Sequence, residues 1–94
     1  MTAAVEFRSI AAIKRANRAL GHHWFDADAM RFFNTVIESG VIDGSRFITS
    51  ERMEYSDPKR YSVREARGDG SIETVGEFRA YGTLVDAYRA ALAA

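Results

Sequence analysis

Asp43-Gly44 and Asp69-Gly70 each stand between runs that read as β-strands. Asp-Gly accepts positive φ at both central positions of a tight turn, and the twist of that turn matches a two-residue hairpin. Two such pairs predict an antiparallel meander over 35–81. Its runs are 35–42, 46–53, 60–67 and 71–81, with the only proline, Pro58, in the loop between the second and third. Gly76 marks a bulge in the last run.

Helical signals flank the meander. Ser9 is an N-cap, and Ile10, Ile13, Ala16 and Leu20 follow at helical spacing until Gly21 stops the run, predicting a helix over 10–20. Asn17 falls at the border of that stripe. His22 to Phe25 form a link, and Asp26 caps a short helix over 27–34 with Met30 and Phe33 on one face. Thr83 caps a last helix over 83–92, with Asp86 three residues on. Leu84, Val85, Tyr88 and Leu92 supply its apolar stripe.

The expected architecture is a single α+β domain over 1–94. An antiparallel β-meander of three to four strands carries N-terminal and C-terminal helices packed on one face. Residues 1–8 are expected to be flexible, 10–34 helical, 35–81 the meander and 83–92 the closing helix. With a two-residue turn at Asp69-Gly70, Arg67 opposes Ile72 and Glu65 opposes Thr74. Val63, Glu65 and Arg67 then share one face, and Ser62, Arg64 and Ala66 the other. Neither face is apolar along its length, so the pattern leaves open which one meets the helices, and a slip of one residue reverses it.

Composition bounds the chemistry. Ninety-four residues with six Phe, four Tyr and one Trp can bury a modest core. The absence of cysteine excludes disulfides, thiolate zinc sites and cysteine nucleophiles, and fits a cytoplasmic protein. No apolar run approaches the roughly 20 residues that span a bilayer. Glu6 and Arg8 interrupt the stretch that a signal peptide would need apolar. Thirteen basic against thirteen acidic side chains argue against a whole-molecule grip on nucleic acid.

Among specific motifs, His22-His23 reads as a loop pair rather than a metal site, because no third ligand stands at a completing spacing. No serine elbow, phosphate loop or histidine with an orienting acid is present, and the expectation is a protein that is not an enzyme and takes no cofactor. Arg67-Gly68-Asp69 is explained by its hairpin. The densest aromatic cluster, 24–34, reads first as core. Its functional reading is a partly exposed patch of Trp24, Phe25, Arg31 and Phe32 that anchors a protein partner. The alternative is nucleic-acid binding through Lys14, Arg15 and Arg18 on the first helix with Arg60 and Arg64 on the third strand. Glu65, Glu73 and Glu77 interrupt that field.

The combination WF-x4-MRFFN (Trp24 to Asn34), RF-x-TSE (Arg46 to Glu51), RYSVR (Arg60 to Arg64) and GSIETVGEFRAYGT (Gly70 to Thr83) resembles small uncharacterised proteins of actinobacterial phages, of the mycobacteriophage type, and related mobile elements. The resemblance spans 9–92. It implies a phage gene expressed in the cytoplasm of an actinobacterial host and a partner that is a host or phage protein. It brings no catalytic or binding residue. The resulting expectation is a non-enzymatic protein-interaction module, without a membrane anchor, with homodimerisation open to its exposed aromatics and edge strands.

Overall fold

A computed structural model describes residues 7–23, 25–32, 34–52, 54 and 56–93. Most of the flexibility expected of residues 1–8 therefore falls outside the described residues. Phe7 is anchored: its N–H donates to the Gly44 carbonyl at 2.6 Å and its side chain packs on the core.

The chain runs α1 (Ile10–Ala19), α2 (Ala27–Phe32), β1 (Val36–Ile37), β2 (Arg46–Glu51), β3 (Arg60–Ala66), β4 (Ile72–Val75) and α3 (Leu84–Leu92). The strands form one antiparallel sheet in the order β1-β2-β3-β4. The α+β class and the meander are as the sequence reads.

Capping fixes the helix ends. Ser9 Oγ accepts from the Ala12 N–H at 3.2 Å to open α1. Gly21, at φ 95°, closes it: Gly21 N donates to the Arg18 carbonyl and His22 N to the Asn17 carbonyl. Those two bonds make a Schellman motif, which needs the left-handed residue that glycine supplies. Thr83 Oγ1 accepts from the Asp86 N–H at 3.1 Å to open α3.

Both hairpins are one residue longer than the two-residue turn. Ile42 and Arg46 exchange backbone bonds of 2.6 and 2.9 Å around Asp43, Gly44 and Ser45. Arg67 N donates to the Ser71 carbonyl around Gly68, Asp69 and Gly70. There, Gly70 N bonds the Arg67 carbonyl and Gly70 sits at φ 97°, a turn closed by a left-handed glycine. The register is shifted accordingly. Ala66 opposes Ile72, Arg64 opposes Thr74 and Val63 opposes Val75, which aligns apolar with apolar. Glu65 opposes Glu73, and the repulsion is met by Arg46 on Glu65 and Arg67 on Glu73.

The first and last runs pair over less than their length. β1 keeps two residues, and β4 ends at Val75. Continuing the pairing of Val63 with Val75 would place residue 77 opposite Tyr61; Tyr81 stands there instead, so four residues are looped out. The bulge read at Gly76 is thus a loop over 76–80.

The helices divide between the two faces of the sheet, which corrects the expectation that they share one. Alternate residues point to opposite sides. Phe47, Ala66 and Ile72 pack with Ile13 and Phe25, whereas Ile48, Val63 and Ile42 pack with Ala87 and Ala91. Both sides of β2 and β3 carry large apolar residues, so each side needs a cover.

Candidate interaction surface

The aromatic patch read from the sequence comes apart. Phe25 is 5% exposed and meets Phe47 edge to face, ring centroids 5.4 Å apart. It is core, which removes it from any contact surface. Trp24 lies outside the described residues, as does Phe33. Phe32 is 79% exposed at the end of α2, and Arg31 beside it is exposed, with Asp28 at 3.6 Å one turn back.

The apolar stripe of α3 also divides. Ala87 and Ala91 take the buried positions, with Leu84 and Ala90 half-buried beside them. Val85, Tyr88 and Leu92, at i, i+3 and i+7, are 59%, 37% and 62% exposed. They form an outward ridge on the flank of the helix. Small alanines let the helix lie close on Ile48 and Val63, and the larger side chains are left outside. Asp86 and Arg89, 3.9 Å apart, border the ridge. The stripe of Leu84, Val85, Tyr88 and Leu92 read from the sequence is thereby corrected: only Leu84 is half-buried, and the buried side of the helix is Ala87 and Ala91.

On the opposite face the sheet carries a buried polar cluster. Glu51 accepts from Ser62 Oγ at 2.8 Å and from Arg64 Nη2 at 3.3 Å. Arg64 also donates to Thr49 Oγ1 and Thr74 Oγ1. Its guanidinium lies 5.1 Å from the Phe78 ring centroid and 5.9 Å from that of Phe25. Thr49, Glu51 and Ser62 are buried, so each polar atom has to find its partner inside the cluster. Buried Ser62 is out of reach of a substrate.

Most of the basic residues read as a nucleic-acid face are already engaged. Arg64 belongs to the cluster, and Arg60 donates to the Arg79 and Ala80 carbonyls at 3.1 and 3.0 Å. Arg18 Nε bonds Asp26 Oδ1 at 2.6 Å, while Lys14 is half-buried and Arg15 exposed on α1. Asp26, read as a helix cap, gives its other oxygen to His23 Nδ1 at 3.1 Å. The Arg18 hydrogen bond holds its carboxyl below the ordinary carboxylate range, with His23 adding to the effect. Asp69 accepts from the Ser71 hydroxyl and N–H within its turn, which lowers its pKa.

Among the described residues no cluster of three His, Asp or Glu side chains is placed to hold a metal ion. No described helix is long and apolar enough to cross a membrane.

The DUF7447 family, a family of unknown function, matches residues 9–92, and the chain belongs to it. No curated protein and no solved structure matches the chain.

Proposed function

We propose that this member of the DUF7447 family is a non-enzymatic protein-binding module that uses the outer flank of α3 to hold a folded protein of its host cell. The observation that carries the reading is the exposed ridge of Val85, Tyr88 and Leu92. An exposed apolar patch with a tyrosine at its centre and charges at its rim has the anatomy of a protein interface. Phe32 and Arg31 on α2 remain as a second point of contact from the original patch. The resemblance of the chain's motifs to actinobacterial phage proteins supports a host-cell cytoplasm as the setting.

The test is capture from actinobacterial lysate, with and without nuclease, by the wild type, Leu92→Lys and Tyr88→Lys. The expected result is a stoichiometric protein held by the wild type and lost by both variants, with melting temperatures unchanged because the side chains are exposed. Capture that disappears with nuclease would move the function to nucleic acid and to Lys14 and Arg15. A purified wild type that is dimeric, with Leu92→Lys monomeric, would assign the ridge to self-association instead.

A further inference from the structure

The loop over 76–80 holds one residue in an unusual state. Arg79 has φ 59°, a left-handed conformation that costs a non-glycine residue strain. The backbone on either side of its side chain is pinned. Arg79 N donates to the buried Ser62 hydroxyl at 2.8 Å, and its carbonyl accepts from Arg60 Nε at 3.1 Å.

Among the described residues, the side chain those bonds present has no hydrogen-bond partner. Arg79 Nε is buried without a hydrogen-bond acceptor. No described carboxylate pairs with its guanidinium, and Glu51, inside the neighbouring cluster, is spent on Ser62 and Arg64. Arg64 takes that buried carboxylate, and Arg60 is spent on the Arg79 and Ala80 carbonyls. Next in the chain, Phe78 is 56% exposed, with Arg64 against its ring. An arginine whose buried Nε has no acceptor, held by a strained backbone and next in the chain to an exposed aromatic residue, is a side chain without a hydrogen-bonding role among the described residues.

We infer that Phe78 and Arg79 form a binding point for an acidic peptide segment. An Asp or Glu carboxylate meets the Arg79 guanidinium, and an adjacent apolar side chain covers Phe78. Arginine's planar fork matches a carboxylate. A phosphate backbone fits less well. The loop's Arg79 N–H is committed to Ser62 and Arg60 is committed to carbonyls, so neither is free to hold the further oxygens of a phosphate. This site lies on the face opposite α3 and stands or falls independently of the ridge.

The test uses the full chain, ¹⁵N-labelled, and an amidated peptide of alternating Leu and Glu. Its Leu/Gln counterpart and an oligothymidylate are the comparison probes. The expected result is saturable binding of the Leu/Glu peptide that shifts the Arg79 Nε–Hε resonance. Arg79→Gln weakens it at least about tenfold, as loss of a charge-assisted pair requires. Phe78→Ala weakens it less, and the Leu/Gln peptide does not bind. Arg79→Gly, which removes both the strain and the unpaired cation, keeps or raises the melting temperature while binding is lost. The inference is overturned by any of three results: no saturation below about 1 mM, equal binding by Arg79→Gln, or tighter binding of oligothymidylate than of the peptide. A fall in the Arg79→Gly melting temperature would overturn it too, by giving the side chain a structural role.

Discussion

On one face of the sheet, Ile48 and Val63 meet Ala87 and Ala91 of α3. On the other, Phe47, Ala66 and Ile72 meet Ile13 and Phe25, and two residues further along the strands the surface changes to Thr49, Arg64, Glu51 and Ser62. The first face is apolar where its helix lies across it. The second is apolar at its hairpin end and hydrogen-bonded at the other. The contrast follows from where each helix docks. α3 lies across β2 and β3, whereas α1 reaches the sheet at the β3–β4 hairpin, with buried Asn17 Nδ2 donating to the Gly70 carbonyl at 2.9 Å. Beyond the reach of α1, the strand positions that an α-helix would otherwise cover are filled by polar side chains that satisfy one another.

The comparison is broken most severely at the contact between α1 and its hairpin. A Cβ at Gly70 would fall onto the Ala16 carbonyl oxygen, a backbone atom that cannot turn aside, and the φ of 97° is itself unfavourable for alanine. Gly70→Ala is expected to cost about 4 kcal/mol, strain and overpacking together. Urea unfolding measures it. A loss below about 1 kcal/mol would show that the second face does not depend on this docking.

Next in size is the polar cluster. Glu51→Ala leaves Arg64 without its carboxylate and Ser62 without its acceptor, for an expected loss of about 3 kcal/mol. Replacing the pair together, Glu51→Leu with Arg64→Met, is expected to recover most of that, because a buried ion pair is seldom more stable than apolar side chains of its size. If the double variant is as damaged as the single one, the cluster contributes more than mutual neutralisation.

The face under α3 is probed by size. Ala87 is fully buried, and Ala87→Leu is expected to cost about 2 kcal/mol through overpacking. Val85→Leu, on the outer flank of the same helix, is expected to change stability by less than about 0.5 kcal/mol. Equal effects at the two positions would mean that α3 is turned differently on the sheet.

These contrasts also mark what was legible in the chain. Ser9, Gly21 and Thr83 announced the helix ends because capping is local chemistry. The two Asp-Gly pairs announced the hairpins for the same reason. The register was a residue out because the loop length depends on Ala66 finding Ile72 and Val63 finding Val75, which are tertiary pairings. The assignment of helices to faces failed because Phe47 and Ile48 are adjacent, and a strand apolar on both sides does not tell a one-sided sheet from a two-sided one. Phe25 read both as core and as part of an exposed patch, because an aromatic count cannot rank burial. Arg79 left no signal beyond the neighbouring Gly76, since its isolation comes from other side chains having satisfied each other first.

The smallest expected effect is a titration at the margins of the two faces. On the α3 side, Glu38 accepts from Ser50 Oγ and Lys59 Nζ, each at 2.8 Å. Burial alone pushes the Glu38 carboxyl up, but the bonds from Lys59 and Ser50 outweigh it and hold the group below its ordinary 4.5. A carboxyl with a depressed folded pKa adds stability above its unfolded pKa and loses it as the pH falls through the folded value. On the other side Asp26, held below its ordinary 3.8 by Arg18, carries the same sign from an exposed position where solvent screens the pair. Stability is therefore expected to be level above about pH 5 and to fall below 4.5. Lys59→Met should flatten the first part of that fall, and Arg18→Met should change it less. Thermal melts between pH 3 and 7 measure both. A larger effect from Arg18→Met would place the stronger pair on the side of the N-terminal helices.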